Sequence, residues 1–260
     1  MKKLNLLLVF SALFSFMMLQ SCTNNSKPQN EMQQPVAQDQ ATTNTPSTEG
    51  DEANENEGAK GSKALQPNTN GTINTKALNY KNMQEAFKGE TTASAKYAAY
   101  STKAEQEGQH SIAMLFKAAS ASEKIHANNH KAVLEEAGQS VPVIKPEFTV
   151  KTTRDNLNDA IAGESYEIST MYPSFITTAN SIGDQFSLAS LNYAYKTEQK
   201  HKPLYEKALA ALDSNTANTL PTVFYICPTC GNTYELTAPK RCGISMTSSD
   251  KFIRISSVNS

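Results

Sequence analysis

The chain has 260 residues, a formal net charge of -1 and 38% hydrophobic residues. This near-neutral balance, without a basic patch, gives no support to nucleic-acid binding, so we expect no nucleic-acid partner. The roughly 180 residues that follow the N-terminal region suffice for one helical bundle and a minidomain.

The first residues are typical of a secretory signal. Lys2 and Lys3 precede a mostly apolar run from Leu4 to Leu19, which is short and ends in small residues, as cleaved signals do. Residues 19–22, Leu-Gln-Ser-Cys, resemble a bacterial lipobox, in which Cys22 is lipidated and becomes the mature N-terminus. We predict a lipoprotein signal peptide over residues 1–21 and a lipid-anchored protein in the cell envelope, outside the cytoplasm, in a periplasmic or outer-membrane location. A plain signal with an incidental cysteine is the alternative.

Residues 22–75 are predicted to be a disordered tether. From Thr23 to Thr75 there is no aromatic residue, and Asn, Gln, Thr, Ser, Glu, Gly and Pro dominate. Such a composition buries too little apolar surface to offset the entropy of ordering the chain.

Four segments with helical patterning follow, and together they predict a bundle over residues 76–214. Pro142 and Pro146 block helix formation between the second and third segments, so residues 139–151 form an extended crossover. One long crossover at this point is the ferritin-like topology. The predicted helices are Asn79–Gly108, Ser111–Gly138, Thr152–Ser181 and a fourth that follows Gly183 and ends near Asp213.

Two prolines fall inside these predicted helices. Pro173 predicts a kink in the third helix. Pro203 cannot donate a hydrogen bond to Gln199 and predicts a bend in the fourth helix.

Each predicted helix carries carboxylate or imidazole side chains on its inner stripe. Glu-x-x-His and Glu-x-x-Glu spacings put both side chains of a pair on one helix face. Mixed carboxylate and imidazole ligands suit Fe(II) and Mn(II), and this inventory is the one found in di-iron bundles. The sequence therefore predicts that two iron ions are held by Glu90, Glu123, His126, Glu164, Glu167, Glu198 and His201.

The two halves of the predicted bundle repeat this pattern, since Gly-Glu precedes a Glu-x-x-His motif in each half. Tyr97 and Tyr172 add a phenol about two turns along the same stripes. A bundle without metal is the alternative, but a buried, unpaired carboxylate would cost several kcal/mol. For His130 we expect a surface position or a contact behind the ligands rather than a third imidazole ligand, and His110 should be exposed.

Residues 220–257 contain a predicted strand, Val223–Ile226, and two knuckle-like segments that resemble rubredoxin. Two Cys-x-x-Cys knuckles would give a tetrahedral four-thiolate site for iron or zinc. Here Ser245 occupies the fourth ligand position, beside Cys227, Cys230 and Cys242. The affinity for a further iron or zinc ion should therefore fall. The alternative is a degraded knuckle, with a disulfide between Cys227 and Cys230.

From about Asn79 to Ile255 the chain resembles the rubrerythrin family. The resemblance is carried by both Glu-x-x-His motifs and by residues 88–91 (Lys-Gly-Glu-Thr), 162–167 (Ala-Gly-Glu-Ser-Tyr-Glu) and 171–173 (Met-Tyr-Pro). It implies a mainly α protein with a ferritin-like four-helix bundle, one long crossover and a small rubredoxin-like β domain at the C-terminus.

The resemblance also implies reduction of hydrogen peroxide to water, with electrons from an unknown donor passing through the rubredoxin-like site, in a homodimer. Glu123 and Glu198 would bridge the two irons, and Glu167 and His126 would exchange as ligands with the redox state. Tyr97 and Tyr172 would donate to ligating carboxylates. The alternative function is an iron-binding or ferroxidase-type lipoprotein without sustained peroxidase turnover.

Overall fold

A computed structural model describes residues 69–259 of the chain. The predicted signal peptide, Cys22 and residues 22–68 of the predicted tether lie outside this range. Among the described residues, no helix combines the length and apolar character needed to cross a membrane. The helices are α1 (Thr69–Gln106), α2 (His110–Glu136), α3 (Thr153–Tyr166), α4 (Tyr172–Ser181) and α5 (Gln185–Asp213).

The described residues form a four-helix bundle, because α3 and α4 are joined by a π-helical turn, Glu167–Met171, and act as one long helix. The segment between α2 and α3 contains neither helix nor strand and is the predicted long crossover. The mainly α, ferritin-like fold class with a small C-terminal sheet is confirmed.

The first helix is longer than predicted. It begins at Thr69 rather than Asn79, so the last residues of the predicted tether are helical. Gly71 and neighbouring Asn and Thr residues are poor helix formers and gave no helical pattern. The buried Asn79 amide donates hydrogen bonds to Asp184 and Ser187, each at 3.0 Å, and so ties this end of α1 to the start of α5.

The two prolines lie in helical segments of different geometry, and the predicted kink and bend stay predictions. Ahead of Pro173 the third helix departs from α geometry in the π-helical turn Glu167–Met171, where the Tyr172 N–H donates to the Glu167 carbonyl. Pro203 lies inside α5, which continues past it to Asp213.

The bundle core is divided into two apolar clusters. One surrounds the rings of Tyr100, Phe116 and Tyr205, and the other surrounds Met83 and Leu191. On each helix the predicted ligands fall between residues of the two clusters, so a polar layer crosses the core.

The C-terminal residues form a three-stranded antiparallel sheet in the order β2-β1-β3. Its strands are β1 (Phe224–Ile226), β2 (Thr233–Glu235) and β3 (Ile253–Ile255). Tyr225 pairs with Tyr234 on one side and with Arg254 on the other. Phe224 and Ile255 are buried in the same cluster as the bundle residues around Phe116, so the sheet shares a core with the bundle.

Candidate metal centre

Six of the seven predicted ligand residues lie together in two overlapping groups. Within each group the ligand atoms are within 4.8 Å of one another, and none of the six residues is more than 1% exposed. Glu123 and Glu198 belong to both groups, as carboxylates that bridge two ions must. One group consists of Glu90, Glu123, His126 and Glu198, and the other of Glu123, Glu164, Glu198 and His201.

The two imidazoles present the same nitrogen to the carboxylates. His126 Nδ1 lies 2.8 Å from Glu123 Oε2 and 2.9 Å from Glu198 Oε1. Its Nε2 lies 3.0 Å from the Cys230 carbonyl oxygen, which can only accept, so Nε2 carries a proton. Nδ1 is therefore the nitrogen that would lose its proton to bind a metal ion, and the carbonyl behind the ring fixes the orientation of His126.

His201 is held in the same way. Its Nδ1 is 3.1 Å from Glu123 Oε1 and 2.8 Å from Glu198 Oε2, and its Nε2 is 2.9 Å from Thr233 Oγ1. The Thr233 hydroxyl donates to the Gly231 carbonyl at 3.3 Å, so it accepts from His201. Both imidazoles thus aim Nδ1 into the carboxylate layer.

Several of these polar atoms are buried without a hydrogen-bond partner. Both carboxylate oxygens of Glu198, Glu123 Oε1 and His201 Nδ1 are among them, although the last two are only 3.1 Å apart. The atoms approach one another without hydrogen-bond angles, which is expected where each is aimed at a common point between them. Unsatisfied buried groups cost free energy that bound cations would remove, so the residues fit a pair of metal ions.

The charges in this layer shift the pKa values strongly. Burial, and next the neighbouring carboxylates, raise the pKa of Glu90 and Glu164 well above the usual range. Burial opposes ionisation of Glu198 as well, but the charges of His126 and His201 outweigh it and lower its pKa to about 2. Burial also disfavours the charged form of His201, but Glu123 and Glu198 raise its pKa to about 9. Such a layer ionises fully only with compensating positive charge.

Two tyrosines support the ligand residues. The Tyr97 hydroxyl donates to Glu164 Oε1 at 2.9 Å, and the Tyr172 hydroxyl donates to Glu90 Oε1. His130 is fully buried behind Tyr172, with Nε2 at 3.3 Å from the phenol oxygen and Nδ1 at 2.7 Å from Ser190 Oγ. His130 is therefore outside both ligand groups. Its contact with Ser190 was not predicted, because no sequence motif marks that serine. His110 is exposed and contacts Glu105.

Glu167 differs from the other predicted ligands. It is only partly buried, belongs to neither four-residue group and is the first residue of the π-helical turn. Burial, followed by the charges of Glu198 and Glu123, raises its pKa well above the usual range, so it is electrostatically close to the layer. Single π-helical turns inside α-helices are frequent at functional sites.

The C-terminal sulfurs form a second cluster. Cys227, Cys230 and Cys242 are buried and unbridged, and their ligand atoms lie within 4.8 Å of one another. Ser245 Oγ is 3.2 Å from Cys227 Sγ and 2.8 Å from Thr247 Oγ1. A hydrogen bond from the Cys230 thiol is the largest cause that lowers the Cys227 pKa, to about 4. Three thiols and a hydroxyl are thus gathered where the sequence predicted a weakened site, and the alternative Cys227–Cys230 disulfide is not formed.

The sulfur cluster is packed directly on the metal layer of the same chain. The Cys230 carbonyl accepts from His126 and, at 3.1 Å, from the Thr197 hydroxyl, while Ser122 Oγ donates to the Gly231 carbonyl at 2.7 Å. A Cβ on Gly231 would meet His126 Nε2 at 2.4 Å, so this approach requires glycine. Ser122 and Thr197 were missed from the sequence, where nothing distinguishes them from other small polar helix residues.

A four-helix bundle with one long crossover, whose facing helices contribute single Glu and Glu-x-x-His residues to one buried layer, defines a ferritin-like di-iron carboxylate protein. Comparisons with known proteins narrow this class. The family model described as Rubrerythrin matches residues 81–209. Rubrerythrin-2 of Clostridium acetobutylicum is 34% identical over 171 residues, which are 65% of this chain and 92% of that protein.

Nigerythrin of Nitratidesulfovibrio vulgaris is 31% identical over 173 residues, or 66% of this chain and 83% of that protein. The solved structure of nigerythrin in its fully reduced, all-ferrous state matches with a TM-score of 0.61 and 30% identity, over 68% of this chain and 86% of that one. The chain therefore belongs to the rubrerythrin family and is a di-iron oxidoreductase of the rubrerythrin kind.

Proposed function

We propose that the protein reduces hydrogen peroxide to water, using electrons that reach the di-iron layer through the C-terminal sulfur cluster. The observation that carries this proposal is the 3.0 Å contact between His126 Nε2 and the Cys230 carbonyl. It joins a cysteine of one cluster to an imidazole of the other by a single hydrogen bond. The contact places the two clusters close enough for electrons to pass between them, which supports repeated turnover over iron binding alone.

The ligand roles follow from the shared groups. Glu123 and Glu198 would bridge two ions, with Glu90 and His126 on one side and Glu164 and His201 on the other. Two ferrous ions held here would supply the two electrons that cleave the O–O bond, and two protons complete the conversion of H2O2 into two water molecules.

The remaining residues would orient the site and move protons. Tyr97 and Tyr172 fix the outer carboxylates Glu164 and Glu90 through donated hydrogen bonds. Glu167 has partial access to solvent and a raised pKa, so it can carry a proton into the layer. Its position at a π-helical turn also suits the exchange with His126 that the family resemblance implies.

Ser245 is the observation that favours the alternative function. A serine hydroxyl ionises far less readily than a thiol, so a metal ion bound by Cys227, Cys230, Cys242 and Ser245 would be held more weakly. If that site were empty, the bundle would act as an iron-binding or ferroxidase-type protein without sustained turnover. The two functions differ in whether peroxide is consumed repeatedly.

The test compares wild type with Ser245→Cys by metal analysis and by peroxide consumption with excess chemical reductant. We expect two irons in the bundle of both proteins, a third ion held more tightly in Ser245→Cys, and many equivalents of peroxide consumed by wild type. A single equivalent consumed by wild type, with repeated turnover only in Ser245→Cys, would favour the alternative function. Absence of iron from the bundle in both proteins would reject both functions.

We further propose that a lipid on Cys22 anchors the protein in the cell envelope, outside the cytoplasm, and that the protein is a homodimer. The Leu-Gln-Ser-Cys sequence supports the anchor. Cys22→Ala should release the protein from the membrane fraction of the cells that make it. Light scattering of the released protein would give the mass of the assembly.

A further inference from the structure

A cleft of about 330 Å³ between α1 and α3 is lined by Glu167, the predicted ligand that lies outside both four-residue groups, and by Tyr97, which donates to the grouped ligand Glu164. Its inner end is formed by Tyr97 and Glu167, and its walls include the small residues Gly89, Ala93 and Gly163. Four other cavities of 350–490 Å³ in the described part of the chain touch none of the seven predicted ligands.

Glu167 is the predicted ligand residue that lines the cleft. The other six predicted ligands are at most 1% exposed, whereas Glu167 is only partly buried. Tyr97, which closes the inner end beside it, donates to Glu164. A small molecule in the cleft would therefore reach a ligand residue without displacement of either apolar cluster.

The two glycines keep this space open. A Cβ on Gly89 would meet no atom within 4 Å, and a Cβ on Gly163 would meet only Tyr97 Oη at 3.9 Å. Glycine inside a helix costs roughly 0.5–1 kcal/mol relative to alanine. Neither glycine has a positive φ, so backbone conformation does not explain their presence in α1 and α3.

Lys96 keeps the mouth of the cleft polar without filling it. Its ammonium group is 2.7 Å from Asp159 Oδ2 and 5.4 Å from the centroid of the Tyr97 ring. The ion pair and the ring hold the side chain against one wall. Glu85, Lys88 and Glu167 also line the cleft, so its charged groups are balanced and it suits a small polar molecule.

We propose that hydrogen peroxide reaches the di-iron layer through this cleft and that Gly89 and Gly163 are the residues that admit it. This inference rests on the proposed peroxidase function, but its geometry applies to any small ligand of the metal ions. Substitution of either glycine by leucine would place a branched side chain in the path, while alanine would leave it open.

The experiment uses azide, a small anion that binds oxidised di-iron sites, as a probe of access. Stopped-flow absorption would follow azide binding to the iron-loaded protein. We expect Gly163→Leu to slow azide association at least tenfold and Gly163→Ala to change it less than twofold. Gly89→Leu and Gly89→Ala form a second matched pair, in case one leucine variant fails to fold. Iron content and unfolding midpoint are measured for each protein, to show that the site and the fold are retained.

Unchanged azide rates in the leucine variants would overturn the inference, as would failure of azide to bind a wild-type protein that holds two irons. The same proteins are then assayed with hydrogen peroxide. If leucine slows azide but wild type does not turn over peroxide, the access route stands and the proposed function fails. If wild type turns over peroxide and the leucine variants do so equally well, the function stands and the access route fails.

Discussion

His130 is a neutral imidazole in the bundle core, one turn beyond a predicted ligand. Burial, together with the charge of His126, lowers its pKa from 6.5 to about 3. Tyr172 donates its only hydroxyl proton to Glu90, so His130 Nε2 must donate to Tyr172 and Nδ1 must accept from Ser190. His130 therefore fixes the direction in which Tyr172 donates.

The lowered pKa makes His130 a source of acid sensitivity. Below pH 6.5 the unfolded chain binds a proton at this position that the folded protein does not bind, so stability falls as the pH falls. Between pH 7 and pH 5 this one group should remove about 2 kcal/mol of the free energy of unfolding. His130→Gln should therefore lose about 2 kcal/mol less than wild type over this interval.

Urea denaturation of the two metal-free proteins at both pH values measures that difference. His110→Gln, which replaces an exposed imidazole beside Glu105, is the matched control. Equal losses in wild type and His130→Gln would contradict the prediction.

At the scale of elements, the contact between α2 and the segment that follows Cys230 joins the two parts of the described structure. Gly231 has a φ of +79°, and a Cβ there would lie 2.4 Å from His126 Nε2 and 2.8 Å from Ser122 Oγ. Gly108, after α1, has a similar φ of +74° but open space around it. Alanine variants at the two positions therefore distinguish the cost of a left-handed backbone, which applies to both variants, from the cost of a steric clash, which applies only to Gly231→Ala.

Gly108→Ala should cost about 1 kcal/mol of the free energy of unfolding, because only the left-handed backbone is strained. Gly231→Ala should cost several kcal/mol, because the helix and the sulfur cluster must also move apart. Chemical denaturation measures both. Equal losses in the two variants would refute the packing argument. If the proposed electron route holds, Gly231→Ala should also slow reduction of the bundle.

At the scale of the whole molecule, the metal layer concentrates carboxylates and imidazoles between two apolar clusters. In the metal-free protein, burial and the neighbouring carboxylates raise the pKa values of Glu90, Glu164 and Glu167. Burial disfavours the charged forms of His126 and His201, but the carboxylates outweigh it and raise both pKa values, that of His201 to about 9. Raised pKa values stabilise the fold at low pH and less so as the pH rises through them. The metal-free protein should therefore be less stable at pH 8 than at pH 6.

Metal ions bind ionised carboxylates and neutral imidazoles, so loading the layer must release these protons. Uptake of Mn(II) at pH 7 should release protons from the carboxyl groups and imidazolium rings whose pKa values are raised. An indicator dye in weak buffer measures the release, and Glu198→Ala, which removes a carboxylate shared by both groups, should release far fewer. Absence of proton release from wild type would show that the layer is already ionised.

Much of this architecture was predictable because it depends on local periodicity. The Glu-x-x-His spacing specifies which side chains share a helix face, and Pro142 and Pro146 specify where the chain cannot be helical. The limits of that reasoning appear at Thr69, where α1 begins within a sequence of poor helix formers, and at Pro203, where α5 continues through a residue that normally interrupts helices. In both places local helix preference does not indicate how far the helix runs.

Local sequence patterns were enough to predict the residue types of the metal layer, the helices that carry them and the three-cysteine, one-serine composition of the second cluster. Three features appear only in the folded chain: the histidines present Nδ1, Glu167 lies apart from both groups beside a cleft, and Cys230 contacts His126. These features depend on residues that are far apart along the chain. The Cys230–His126 hydrogen bond joins residues 104 positions apart, and no local pattern encodes which nitrogen of the ring will meet that carbonyl.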